Sequence, residues 1–146
     1  MTNGWRYWGD GSSVLGQTFN YAFDDIGNRK TTAVGGDNVG GTLRSASYGV
    51  NSLNQYTNRI VPGYLEVSGT ATNTATVRVD GVLAERQGDY FRREVTVANS
   101  GAALAQWLTS VATNANGTTT VARLTYVPQT PEAFTHDGDG NLTQDE

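Results

Sequence analysis

The sequence predicts an all-β, antiparallel protein in which a small sandwich-type module is flanked by hairpin strands. Three observations predict it. Eighteen glycines stand against three prolines, in a chain rich in Thr and Asn, a composition of many short strands and turns. From Leu65 to Val127 apolar residues alternate with polar ones at period two, the pattern of strands with one covered face. A strand-and-turn motif also occurs near both ends. Phe19-Asn20-Tyr21-Ala22-Phe23 puts three aromatics on one face and runs into Asp24-Asp25-Ile26-Gly27-Asn28-Arg29. Its second version is Phe134-Thr135-His136 followed by Asp137-Gly138-Asp139-Gly140-Asn141-Leu142-Thr143.

The chain has 146 residues, enough for one ordinary domain or two small ones. Hydrophobic content is 37% and charged content 16%, both low, with a net charge of −4. No basic cluster suggests nucleic acid. The acids Glu132, Asp137, Asp139, Asp145 and Glu146 follow the last basic residue, Arg123, and read as a solvated acidic end. The absence of cysteine excludes a disulfide framework, thiolate metal sites and cysteine nucleophiles. No apolar run predicts a membrane span, and Met1-Thr2-Asn3-Gly4-Trp5-Arg6 is not a signal-peptide pattern. The expectation is a cytoplasmic protein or a piece of a larger exported or surface chain.

Taken in order, Trp5 and Tyr7 alternate in a short strand that ends near Gly9-Asp10-Gly11. With Trp8 they form an aromatic group that covers a small core or, as the alternative, stacks on a sugar. Residues 18–34 read as a hairpin about Asp24–Asn28, in which Asp24 caps backbone N–H groups and Asn28 takes the left-handed conformation. Gly35 to Gly41 is a flexible loop. Leu43–Val50 and Gln55–Ile60 are two further strands, and Leu53 between them is a candidate core plug. At Val61-Pro62-Gly63 the texture changes. Leu65 and Val67 share a face and Gly69 breaks their strand. Val77 and Val79 share a face before Asp80-Gly81, a strong hairpin signal. Phe91, Arg93, Val95 and Val97 alternate next. Residues 102–112 fit a helix or a strand, and the β-rich surroundings favour the strand. Thr119–Val127 closes the series, and Pro128 and Pro131 punctuate an extended exit. The predicted organisation is nested: residues 1–60 and 132–146 form an outer frame around an inner β module at 61–131.

The two end motifs resemble the Rhs or YD-repeat family, whose Tyr-x-Tyr-Asp strands lead into x-x-Gly-Asn-Arg or x-x-Gly-Asn-Leu-Thr. Phe23 and His136 stand where that pattern has its second Tyr, and Leu53-Asn54-Gln55-Tyr56-Thr57 is similar to a further family segment. The matches cover roughly a third of the chain, in family-like order. The inner module is similar to the immunoglobulin-like inserts of bacterial surface proteins, through Val77-Arg78-Val79-Asp80-Gly81 and Gly88-Asp89-Tyr90-Phe91. The resemblance implies an immunoglobulin-like β-sandwich flanked by YD-repeat hairpin strands. In the family such repeats pair into long spiralling sheets, many enclosing a toxin and others lying at surfaces with proposed carbohydrate binding. This chain holds one to two repeats, too few to close a shell. A shell function therefore belongs to a parent protein, whose other YD-repeat segments are the expected partners.

The expected function is that of a non-catalytic structural fragment. The alternative is a carbohydrate- or protein-binding module using Trp5, Tyr7, Trp8 or Trp107, and a small hydrolase ranks last. Asp137, Asp139, Asn141 and Asp145 match positions 1, 3, 5 and 9 of a calcium loop, but Leu142 replaces the usual Gly and the repeat turn explains the same residues. No cofactor is expected beyond that calcium alternative. Asp24 and Asp25 are adjacent and make a poor acid–base pair. His136 is the only His, and no serine triad follows from spacing. Arg86, Arg92 and Arg93 sit among Glu85, Asp89 and Glu94 and read as solvated ion pairs. The open edges of an incomplete repeat sheet predict self-association.

Overall fold

The computed structural model describes residues 2–37 and 39–145. Asn38, in the expected flexible loop, and the terminal Met1 and Glu146 lie outside the described residues. Every regular element among the described residues is a strand. The first five are β1 (Thr2–Tyr7), β2 (Ser13–Phe23), β3 (Arg29–Gly35), β4 (Leu43–Val50) and β5 (Tyr56–Arg59). Then come β6 (Tyr64–Thr70), β7 (Thr76–Val79), β8 (Val82–Leu83), β9 (Glu85–Gln87), β10 (Tyr90–Thr96), β11 (Leu104–Asn114) and β12 (Gly117–Val127). β13 (Glu132–His136) and β14 (Leu142–Asp145) complete the chain. All pairings are antiparallel.

The chain divides into two compact units. The outer unit comprises residues 1–63, 99–103 and 128–146, so the short segment Asn99–Ala103 returns to it from within the inner stretch. Its strands form one sheet in the order β1-β2-β3-β4-β5-β13-β14, a meander of neighbouring hairpins. Asn99 is buried and ties the returning segment to both flanks, donating to the carbonyls of Val61 and Pro128 and accepting at its own carbonyl from Thr130 N.

The inner unit comprises residues 64–98 and 104–127. It has two small sheets, β6-β10-β9 and β12-β11-β7-β8. One core joins them. Val77, Val79, Ala84 and Phe91 are buried together, with Val67, Ala71, Val95 and Ala112 packed around them. The period-two pattern is the cause: β7 buries Val77 and Val79 and exposes Thr76 and Arg78. The β7–β8 turn follows the Asp80-Gly81 signal, with φ of 46° and 77° at its two central residues, the backbone that Asp-Gly hairpin turns require. Residues 104–114 are a strand, and the face carrying Trp107 points away from the core while Leu108 points into it.

Three local expectations change. Gly69 does not break its strand: β6 runs through it, paired directly opposite Phe91. A Cβ at Gly69 would lie 2.9 Å from the Phe91 ring, so the missing side chain is the space the ring occupies. Leu53 plugs no core and is 73% exposed, because it is the middle residue of a hairpin loop. In the Asp24 turn the left-handed residue is Gly27, at φ 94°, and not Asn28.

Candidate functional site

The most repeated local structure in the outer unit is its hairpin turn. In Asp24–Asn28 the backbone N–H of Asp24 donates to Asn28 O (2.9 Å) and Gly27 N donates to Asp24 O (3.2 Å). Asp24 Oδ1 accepts from Ile26 N and Asn28 N, and Oδ2 accepts from Asn28 Nδ2. Asp137–Asn141 repeats this bond for bond. So does Asp37–Gly41 in its two backbone bonds and both Oδ1 contacts. Asn51–Gln55 follows, with a neutral Asn in the leading place and Asn54 as the left-handed residue at φ 61°. Trp8–Ser12 has the same backbone bonds, with Asp10 serving Ser12 instead of a leading Asx. The fourth residue is left-handed in all five: Gly11, Gly27, Gly40, Asn54 and Gly140. This is a three-residue hairpin loop whose last residue must take positive φ, hence Gly or Asn there.

Antiparallel order places the 24–28, 51–55 and 137–141 turns along one edge of the sheet, and the 8–12 and 37–41 turns along the other. The first three touch in sequence. Asn28 Nδ2 reaches Asn54 Oδ1 at 3.4 Å, and Arg29 N donates to the Tyr56 hydroxyl at 2.8 Å. Gln55 Nε2 lies 3.2 Å from where a Cβ of Gly140 would stand. On the second edge the remaining connection, between β5 and β13, is the stretch that contains the inner unit.

Aromatic and charged side chains line one face behind these turns. The Arg29 guanidinium lies over Tyr21 (5.3 Å) and over Tyr48 (5.8 Å), a cation held between two rings. Tyr48 is paired opposite Arg59, and Arg59 opposite Glu132. Arg59 Nε stands 2.7 Å from Glu132 Oε2, an ion pair too poorly aligned to count as a directed hydrogen bond. Burial pushes the Tyr48 phenol up, and hydrogen bonds with Thr32 and Arg29 together with the charges of Arg59 and Arg29 outweigh it, leaving the pKa below the usual phenol value. Tyr48, Tyr56, Arg59, Glu132, Phe134 and His136 border a shallow concavity of about 310 Å3. It gathers aromatic rings around one ion pair, Arg59 with Glu132, a surface that suits packing.

No family model, curated protein or solved structure matches this chain.

The residues singled out by sequence fall in three places. Trp5 and Tyr7 lie side by side on β1 with ring planes 17° apart and centroids 6.4 Å apart. The Trp5 indole also rests against Gly40, where any Cβ would collide with it, so Trp5 covers the 37–41 turn. Trp8 begins the 8–12 turn, and Trp107 lies in the inner unit on the exposed face of β11. Asp137 spends both carboxylate oxygens on Asp139 N, Asn141 N and Asn141 Nδ2, while Asp145 sits on β14 opposite Phe134. Among the described residues no group of three or more His, Cys, Asp or Glu side chains is placed to hold a metal ion.

Two features escaped the sequence. One is the recurrence of the turn at Asp37 and Asn51, signalled only by Asx followed three residues later by Gly or Asn. The other is Arg92. Its expected solvated ion pairs are instead one buried cation, 4% exposed, holding Glu66, Glu85 and Glu94. Strand register causes this: Arg92 and Glu85 are paired directly, and Glu66 lies one strand away. Burial works against the guanidinium charge, but Glu66, Glu94 and Glu85 outweigh it and raise its pKa.

The turns carry a pH signature. The Asn28 side-chain amide holds the Asp24 carboxyl below its ordinary value against desolvation, helped by the N–H groups of Asn28, Ile26 and Gly27. Asn141, through side chain and backbone, does the same for Asp137. A depressed folded pKa gives stability that is complete above the unfolded value of about 3.9 and is lost as pH falls through the folded value. An acid titration of the outer unit is therefore expected to lose stability below about pH 4. Asp24→Asn with Asp137→Asn flattens that dependence while keeping the turn, because Asn51 already does this work without a charge. An unchanged acid limb, followed by circular dichroism, contradicts it.

Proposed function

We propose that the outer unit is a short segment of YD-repeat sheet of the Rhs type, and that the chain serves as a non-catalytic structural element of a larger surface or toxin-delivery assembly. In this reading an immunoglobulin-like module is carried in one inter-strand connection. The recurrent turn is the observation that carries the proposal. One turn design recurs at every hairpin of the outer sheet, three copies touch along one edge, and the Tyr, Arg and Phe positions behind them share a face. A repeat array is expected to look like this, since each unit supplies the same turn and stacks the same side chains on its neighbour.

Carbohydrate binding is the second reading, favoured by the near-parallel Trp5 and Tyr7 rings. A glycan array followed by tryptophan fluorescence separates the two. The structural reading expects no saturable shift with any sugar, and no turnover of ester, phosphoester or glycoside substrates. A saturable shift that disappears in Trp5→Ala or Trp107→Ala establishes the binding reading instead. Turnover abolished by His136→Ala establishes a hydrolase.

A further inference from the structure

The sheets of this protein end in edge strands, and the edges differ sharply in how they are guarded. β8 and β9 have two and three residues, and β14 has four. β1 carries Arg6 and a register shift between Trp5 and Tyr7, and β6 carries Glu66. Short length, charge and irregularity are the usual devices that stop an edge from pairing with another chain. β12 is neither short nor irregular, and its single charge is Arg123. It is eleven residues long, paired on one side only, by β11, and exposed from Gly117 through Leu124. It contains no proline, no acid and one basic residue, Arg123, and it is rich in Thr, Val and Tyr, which favour extended pairing.

Its outer face is also apolar. Trp107 lies opposite Leu124 across the β11–β12 pair, and Ala105 opposite Tyr126. Trp107, Leu124 and Tyr126 are 65%, 57% and 58% exposed. On its other face Val121 and Arg123 border a cleft of about 460 Å3 that β6 lines from the far side.

We propose that β12 pairs edge to edge and antiparallel with β12 of a second copy of this chain, about a two-fold axis at Ala122. The length and charge pattern of the strand are compatible with a second copy and favour one register. Ala122 is the midpoint of β12, so this register overlaps the whole strand. It sets Ala122 against Ala122, Thr120 against Leu124, Thr118 against Tyr126 and Arg123 against Val121. No charge meets its like. Moving the two-fold to Arg123, a two-residue slip in register, would bring the two guanidiniums face to face, which is unfavourable in a directly opposed pair. Pairing in this register joins two four-stranded sheets into one of eight strands and gives the outward backbone groups of residues 118–124 partners on both edges. It also brings two copies of the Trp107, Leu124 and Tyr126 patch onto one continuous face. A closed two-fold contact of this kind stops at two chains. The inference concerns the inner unit alone and does not depend on the repeat reading of the outer one.

The test is light scattering on the size-fractionated full chain over a wide concentration range. The expected result is a concentration-dependent shift toward twice the 15.6 kDa chain mass. Ala122→Lys puts two ammonium groups together on the axis and is expected to give monomer only. Ala122→Asp is expected to do the same, and mixing the two variants restores the dimer. Ala122 is exposed, so the fold tolerates both, as circular dichroism checks. A wild type that stays monomeric overturns the proposal and leaves the edge to a strand of some other protein. A dimer that survives Ala122→Lys, or one that fails to return on mixing, overturns the contact and its register.

Discussion

Replacing Arg92 with Met is expected to destabilise the inner unit by about 3 kcal/mol, within the range for removing one partner of a buried ion cluster. The estimate sits at the lower end for a structural reason. Glu66 and Glu94 are the sheltered partners, with side chains about 20% exposed, and lose their neutralising charge. Glu85 is 57% exposed and keeps its water, so its share is small. Arg92→Lys is expected to recover only part of the loss, because an ammonium cannot span three carboxylates as the guanidinium fork does. Urea denaturation followed by circular dichroism measures both variants. A loss below half a kcal/mol for Arg92→Met would show that the cluster is no more than a surface arrangement.

The second large effect belongs to the pair of Phe91 and Gly69. Phe91→Ala removes the largest side chain of the inner core and is expected to cost about 3–5 kcal/mol. Gly69→Ala is expected to destabilise the wild type as well, since its Cβ would press on the Phe91 ring at 2.9 Å. In the Phe91→Ala background the same Gly69→Ala change meets open space and fills part of the cavity. The double-mutant cycle should therefore show a coupling of about 1 kcal/mol or more in the compensating direction. Additive effects would mean that the ring does not occupy the glycine's space.

These two sites also show where the sequence is legible and where it is not. The all-β class and most strands follow from period-two alternation and turn chemistry; Leu43–Val50 is a strand to the residue. Asp80-Gly81 forms the turn its residues demand. Gly69 misleads because a glycine in a strand reads as a break until its cross-strand neighbour is known, and that neighbour is an aromatic twenty-two residues away. Arg92 misleads for the same reason: its environment is set by strands β6 and β9, and no local pattern reports that pairing. The turn family was half legible. Asp24 and Asp137 stand out because Gly and Asn follow at fixed places. Asp37 and Asn51 use Gly-Gly and Asn-Gln in those places, and only their shared hydrogen bonds reveal the equivalence. The aromatic residues were found by type, but whether each covers a turn, as Trp5 does, or faces solvent, as Trp107 does, is decided by packing.

In the proposed function the Asp-led motifs near both ends are interchangeable turn-makers of a repeat and not ligand sites. The most direct test replaces residues 137–141 with the sequence of residues 51–55, Asn-Ser-Leu-Asn-Gln, and compares melting temperatures with and without calcium. This exchange deletes the carboxylates of Asp137 and Asp139 yet keeps the left-handed fourth residue and the one leading side-chain oxygen that accepts two backbone N–H groups, while the Asn–Gln side-chain bond replaces the Asn141–Asp137 one with its direction reversed. The expected result is a folded protein with a melting temperature close to the wild type, and no calcium effect on either. A wild type that calcium stabilises, with that gain lost in the exchanged protein, or an exchanged protein that fails to fold, would contradict it.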